Sequence, residues 1–85
     1  MARDVNRIGV KFLLTDLDLA LTFMDIAKVS QNEETVRRNH NNARTASDTV
    51  VRLLEKLTPD AAQRQVIDAK LALLNTRLRA VGHRF

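Results

Sequence analysis

Residues that interrupt helices are almost missing from this chain. It has one Pro and two Gly in 85 residues, well below the average usage of roughly 5% and 7%. Pro59 and Gly82 lie where a helix should begin or end, and Gly9 is the exception. So few breakers favour long helices, and the spacing of apolar residues then decides how they pack. The composition therefore predicts an all-α protein.

The length of the chain limits it to one core. A chain of 85 residues allows a single domain, residues 1–85, because it buries only about 60–65% of its unfolded surface. No Cys is present, so neither disulfides nor thiolate metal sites can brace the fold. Helix packing must supply the stability, and a large enzyme with a deep pocket is not expected.

Helix 1, predicted over residues 4–29, is apolar around most of its circumference. On a helical wheel its apolar side chains cover an arc of roughly 240°, and the polar ones crowd into the remaining sector. One neighbouring helix cannot cover an arc of this width. We therefore expect helix 1 to be the central helix or part of a subunit interface.

Helix 2 is predicted over residues 33–57. Either Ser30 with Glu33 as a capping box, or Asn32 alone, can accept the free N–H groups at its start. Its apolar residues recur every seven positions, at Val36, Ala43, Val50 and Leu57. Residues 39–42, four residues of modest helix propensity, are its weak point; we expect the helix to be continuous there, and a kink or a later start is the alternative.

The strongest boundary in the chain is Leu57-Thr58-Pro59-Asp60. Thr58 suits the N-cap and Pro59 the first helical position, so helix 3 is predicted over residues 59–81 and is closed by Gly82. Three helices of similar length with short turns favour an antiparallel up-down-up three-helix bundle that is elongated rather than spherical.

Several stretches resemble small uncharacterised bacterial helical proteins of about this length. They are residues 18–27, 32–39, 42–44, 48–54 and 70–78. The resemblance implies a helical interaction module and carries no known activity.

A fainter resemblance is to the helical hairpins of tetratricopeptide repeats, in Asn32-Glu33-Glu34 and in Leu57-Thr58-Pro59. The chain departs from that family because helix 2 is nearly twice as long as the repeat allows, and no period of about 34 residues is present.

The sequence lacks the spacings that catalysis and metal binding need on helices. Metal ligands recur there at three or four residues, and His40 and His83 have no such partner. A Gly-rich phosphate loop and a Ser nucleophile motif are also missing. We therefore predict no enzyme activity, no cofactor and no metal site.

Asp16 and His40 are the candidate polar site. Asp16 is the one acid on the apolar side of helix 1, where an unpaired buried carboxylate would cost several kcal/mol or take up a proton. A partner such as His40, an Arg or a helix terminus is expected; the alternative is a partly exposed acid near a seam of the bundle. His40, with Asn39, Asn41 and Asn42, forms either a recognition patch or a solvated helix segment.

Basic residues raise the question of nucleic acid, because the formal net charge is +4. Lys70, Arg77 and Arg84 form a candidate basic stripe with seven-residue spacing and little acid beside it. Three phosphate contacts give only weak, salt-sensitive binding, and no aromatic residue is interleaved for base stacking. We therefore do not expect nucleic acid to be the partner.

The arginines of helix 2 have acidic partners in the sequence. Glu33–Arg37, Glu34–Arg38, Arg44–Asp48 and Asp48–Arg52 are all spaced by four residues. Such pairs contribute roughly 0.2–0.5 kcal/mol each, and we interpret this face as a solvated ladder of ion pairs.

More apolar surface is present than one three-helix bundle can cover, which usually marks a protein–protein surface. The candidate interface comprises Leu13, Leu17, Leu21 and Met24 on helix 1 and Val66, Ala69 and Leu73 on helix 3. The sequence thus predicts a non-enzymatic helical module that self-associates or binds a partner helix. A weak nucleic-acid binder and a small-ligand or regulatory domain are the alternatives.

Neither a signal-peptide pattern nor the run of about 18–20 apolar residues that a membrane span needs is present. We therefore expect a cytoplasmic protein.

Overall fold

A computed structural model describes the backbone of residues 2–85 and the side chains of residues 4–85. Within residues 2–85 it contains three helices and no strand: α1 (Ala2–Val29), α2 (Glu33–Leu54) and α3 (Ala61–Ala80). The prediction of an all-α three-helix fold is confirmed. None of these helices is long and apolar enough to cross a membrane.

Contacts between the helices define their directions. The Thr58 backbone N–H, beyond the end of α2, donates to Asn6 Oδ1 near the start of α1 at 2.7 Å, so α2 returns along α1. Lys70 pairs with Asp18 and Arg77 with Asp25, so α3 runs in the same direction as α1. The molecule measures 46 × 19 × 18 Å, which is the elongated shape expected from the helix lengths.

The core lies along one stripe of each helix. On α1 this inner stripe is Val10, Leu13, Leu17, Ala20, Met24 and Ala27; facing it are Ala43, Ala46 and Val50 of α2 and Ile67, Leu74 and Leu78 of α3. The inner stripe repeats at seven-residue spacing from two starting points, which is the pattern of helices that pack side by side. A buried hydroxyl, Ser47 Oγ, donates to Asn75 Oδ1 at 2.6 Å and ties α2 to α3.

α2 is continuous through residues 39–42. The amide of Asn39 is buried but donates to the Thr35 carbonyl oxygen at 2.8 Å, so its burial leaves no donor unsatisfied there. The cap is Asn32 alone, whose Oδ1 accepts from the Thr35 backbone N–H at 2.9 Å. α2 ends at Leu54, three residues before the predicted end at residue 57.

The predicted N-cap of the third helix was wrong. Asp60, not Thr58, caps α3: its carboxylate accepts from the Gln63 backbone N–H at 2.7 Å, and Gln63 Oε1 accepts from the Asp60 backbone N–H at 2.9 Å. This reciprocal pair requires Glu or Gln three residues after the cap. Asp60 has Gln63 at that position, whereas Thr58 has Ala61.

The end of α3 agrees with the prediction that Gly82 closes it. Gly82 has a φ of 100°, a conformation that other residues rarely adopt. Its N–H donates to the Arg79 carbonyl oxygen, and the His83 N–H donates to that of Leu78, both at 3.0 Å. These two bonds satisfy carbonyl groups that the last turn would otherwise leave free.

Gly9 lies inside α1, where glycine normally weakens a helix by roughly 1 kcal/mol relative to Ala. A Cβ at this position would lie 2.7 Å from Leu57 Cδ2. The missing side chain therefore leaves room for Leu57, which packs against the core from the segment after α2.

Candidate interaction surface

α1 carries a second apolar stripe, which faces away from the core. We call it the outer stripe, and its members are Val5, Ile8, Phe12, Leu19, Ile26 and Val29. Their exposed fractions range from 43% at Ile26 to 81% at Val29. The stripe extends over nearly the whole helix, so α1 is apolar on opposite sides.

The spacing of the outer stripe is regular. Val5, Phe12, Leu19 and Ile26 follow one another at seven-residue intervals. Ile8 and Val29 belong to a second series at the same interval, in which Thr15 and Thr22 occupy the middle positions. Two such series, three residues out of phase, are the pattern of a helix that packs along another helix.

The predicted interface on helix 1 was wrong. Leu13, Leu17 and Met24 are buried in the chain's own core, and Leu21 is half-buried against it. The three buried residues cannot dock a partner while the bundle is intact, and Leu21 exposes only part of its surface. The helical wheel predicted an apolar excess on α1, but it did not distinguish the stripe that faces inward from the one that faces out.

The predicted residues on the third helix are exposed. Val66, Ala69 and Leu73 all lie on the surface of α3, and Leu73 has 45% of its area accessible. They form a smaller apolar patch than the outer stripe, since one of the three is Ala. Their use as an interface stays a prediction.

A groove widens the apolar surface at one end of the outer stripe. Its volume is about 400 Å³, and it lies between the first turns of α1 and the end of α2. The residues that line it are Val5, Ile8, Gly9, Phe12, Leu53, Lys56 and Leu57. All but Lys56 are apolar or glycine, so the groove extends the outer stripe toward α2.

Asp16 forms no hydrogen bond with His40, which was one of its three expected partners. No described side chain donates a hydrogen bond to Asp16, which is partly exposed, as in the alternative interpretation. Burial raises the pKa of the Asp16 carboxyl above its ordinary value of 3.8. The charged form of this carboxyl group is therefore less favourable in the folded protein than in water.

His40 instead lies beside His83. The two rings are edge to face, with their centroids 6.4 Å apart. Burial lowers the pKa of His40 from 6.5, and the positive charge of His83 lowers it further. Among the residues with described side chains, no group of three His, Cys, Asp or Glu is placed to hold a metal ion.

The candidate basic stripe on the third helix is largely neutralised. Lys70 pairs with Asp18, and Arg77 Nη1 lies 3.2 Å from Asp25 Oδ1, so both cations join α3 to α1. The prediction that little acid lies beside them was wrong, because the acids come from a helix 52 residues earlier. The Arg84 carbonyl oxygen accepts from Arg44 at 2.6 Å.

The ladder of ion pairs on α2 forms only in part. Arg44 Nε lies 3.0 Å from Asp48 Oδ1, and the Arg44 guanidinium also lies 3.9 Å from the centre of the Phe85 ring. Among the described side chains, the other three predicted pairs do not come within salt-bridge distance. Arg37, Arg38 and Arg52 are exposed to solvent.

A second hollow lies where the end of α1, the start of α2 and the end of α3 meet. Its volume is about 390 Å³, and its lining includes Asp25, Lys28, His40 and Arg77 beside apolar residues such as Val36. The mixed lining suits a small amphipathic molecule better than a helix.

Comparison of the chain with protein-family models, with curated proteins and with solved structures gives no match.

Proposed function

We propose that this protein is a non-enzymatic helical interaction module that self-associates through the outer stripe of α1. The observation that carries the proposal is the regularly spaced series of large exposed apolar residues on α1, which lies on a different face of the helix from the buried inner stripe. Large exposed patches on small proteins mark interaction sites. The regular seven-residue spacing favours a helix as the partner.

The size of the outer stripe suits a dimer. Six side chains exposed to this extent present roughly 500 Å² of apolar surface, since a fully exposed aromatic side chain presents about 150–250 Å². Two copies packed face to face would remove about 1,000 Å² from water, which is near the lower limit for a specific interface. At about 25 cal/mol per Å² this burial is favourable, and a symmetric dimer is the commonest assembly that achieves it.

The test compares two leucines on different helices. Leu19 of the outer stripe and Leu73 of α3 are 47% and 45% exposed, so a charge at either position should leave the monomer folded. We expect wild type to sediment as a dimer at high micromolar concentration, Leu19→Glu as a monomer, and Leu73→Glu as wild type. Circular dichroism confirms that each variant remains helical.

Three results would contradict the proposal. A strictly monomeric wild-type protein would show that the chain does not self-associate and would direct attention to a different partner helix. Loss of the dimer in Leu73→Glu alone would place the interface on α3. A dimer that survives Leu19→Glu would exclude the outer stripe.

A small-ligand or regulatory role is the second candidate, and the hollow at the junction of the three helices supports it. Chemical shift changes confined to His40, Arg77 and their neighbours on addition of small carboxylic acids would favour it. Weak nucleic-acid binding is the third candidate, and the pairing of Lys70 and Arg77 with aspartates argues against it.

We also propose that the protein resides in the cytoplasm, since a chain without Cys gains no disulfide from an oxidising compartment.

A further inference from the structure

We infer that two copies pack α1 against α1 in antiparallel orientation, with Ile8 of one copy opposite Ile26 of the other. This inference rests on the proposed function and specifies the partner as a second copy of this chain. It also fixes the register of the two helices. The sizes of the side chains that meet in each layer favour this arrangement.

In an antiparallel helix pair, the residues of one seven-residue series face those of the other series. Val5 then lies opposite Val29 of the second copy, and Ile8 opposite Ile26. Between these outer layers, each threonine meets a large residue. Phe12 lies opposite Thr22 of the second copy, and Thr15 lies opposite Leu19.

The antiparallel layers are therefore balanced in volume, which close-packed interiors require. A parallel pair would put each residue opposite its own copy. Phe12 would then meet Phe12, while Thr15 and Thr22 would each meet a second threonine. The Phe12 layer would then be too full and the two threonine layers too empty, and both defects destabilise a packed interface.

The threonine that faces Phe12 is already satisfied as a donor. Thr22 Oγ1 donates to the Asp18 carbonyl oxygen of its own helix at 3.0 Å. Its hydroxyl hydrogen therefore needs no partner across the interface, and contact with the Phe12 ring leaves no unsatisfied donor.

Charged residues on the flanks of the outer stripe distinguish the two orientations. In the antiparallel pair Lys11 comes opposite Asp25 of the second copy, which also pairs with Arg77 of its own chain, and symmetry repeats this favourable contact. Asp16 comes opposite Asp16 of the second copy, which is unfavourable. In the parallel pair Asp16 would instead come opposite Lys11.

The orientation can be tested by cross-linking because the chain has no Cys of its own. The variants are Ile8→Cys and Ile26→Cys, two exposed isoleucines of the outer stripe. In the antiparallel dimer, position 8 lies about 27 Å along the helix axis from position 8 of the second copy. A disulfide requires Cα atoms within about 7 Å.

We expect neither variant to cross-link to itself under mild oxidation, whereas an equimolar mixture with one chain labelled with ¹⁵N forms a disulfide between position 8 and position 26. Self-cross-linking of either variant would overturn the antiparallel orientation while leaving self-association intact. A wild-type dimer with no cross-link in any sample would overturn the register. A monomeric wild type would instead refute the proposed function.

A substitution on the flank gives an independent test. Asp16→Asn removes the like-charge contact of the antiparallel dimer, and we expect it to tighten dimerisation about two- to five-fold by sedimentation equilibrium. Weaker dimerisation of this variant would indicate that Asp16 meets Lys11, and would overturn the antiparallel orientation.

Discussion

At the scale of single residues, Leu17 and Leu19 show how much position matters for identical side chains. They lie two residues apart on α1, where Leu17 is fully buried and Leu19 is 47% exposed. A step of two residues rotates a side chain by about 200° around a helix. Leu17 therefore belongs to the inner stripe and Leu19 to the outer one.

We predict that Leu17→Ala lowers the free energy of unfolding by about 2–5 kcal/mol, because it removes buried contacts and leaves a cavity. Leu19→Ala should change the stability of the monomer by no more than about 0.5 kcal/mol. Urea titrations at low micromolar protein, below the concentration of dimerisation, measure both. Equal losses would show that the two leucines are not on opposite faces.

The burial of Asp16 makes the stability of the folded protein depend on pH. Because burial raises its pKa in the folded state, the folded state binds this proton more tightly than the unfolded state does. Stability associated with Asp16 is therefore complete at low pH and decreases as the pH rises from 3.8 through the folded pKa.

We expect Asp16→Asn to have a higher free energy of unfolding than wild type at neutral pH, because the amide has no charge to desolvate. The difference should vanish near about pH 3, where the aspartate is protonated in both states. Denaturant titrations at the two pH values measure it. A difference that persists unchanged at low pH would mean that the charge of Asp16 is not its cause.

At the scale of elements, the start of α3 shows that capping depends on more than the identity of the cap. Thr58, Pro59 and Asp60 each suit the beginning of a helix. Asp60 prevails because Gln63 completes the reciprocal pair. Thr58 instead forms hydrogen bonds with Asn6, whose Nδ2 donates to the Thr58 carbonyl oxygen at 3.1 Å.

We predict that Asp60→Ala lowers the free energy of unfolding by about 0.5–2 kcal/mol. Thr58→Ala is the matched control and should cost less, since it removes only the 3.2 Å hydrogen bond from the Thr58 hydroxyl to Asn6 Oδ1, while the backbone N–H and carbonyl of residue 58 retain their bonds to Asn6. Thermal or urea unfolding of both variants decides the order. A larger loss of stability in Thr58→Ala than in Asp60→Ala would contradict the assignment of Asp60 as the cap.

At the scale of the whole molecule, α1 contacts both other helices and also carries the exposed apolar outer stripe. Its inner stripe joins α2 and α3 into a core, and its charged edge holds Lys70 and Arg77 of α3. Its outer stripe remains uncovered in a single chain. We therefore expect the stability of the molecule to depend on its concentration.

The melting temperature Tm of wild type should rise with protein concentration between about 1 and 100 µM, because dimerisation stabilises only the folded state. Leu19→Glu should show no such rise. Differential scanning calorimetry at several concentrations measures both. A constant Tm for wild type would contradict self-association in this range.

Local signals predicted the elements well. The three helices, the turn after Val29 and the closure at Gly82 depend on residues within four or five positions of one another. The ion pairs between α1 and α3 join residues 52 positions apart, and no local pattern sets that register. The same limit applies to Asp16, for which the sequence suggested His40, an Arg or a helix terminus as a partner; no described side chain donates a hydrogen bond to it.

The sequence by itself determined that the chain is helical, that it makes three helices and that the first is apolar around most of its circumference. Only the tertiary structure decided which side faces inward. The inner stripe contains Ala20 and Ala27, small residues that let neighbouring helices approach, whereas the outer stripe contains Phe12 and two isoleucines. The rotation of α1 about its axis depends on many contacts between residues that are distant in sequence, including that of Gly9 with Leu57. The periodicity of one helix does not contain these contacts, so it cannot predict which face of the helix is buried.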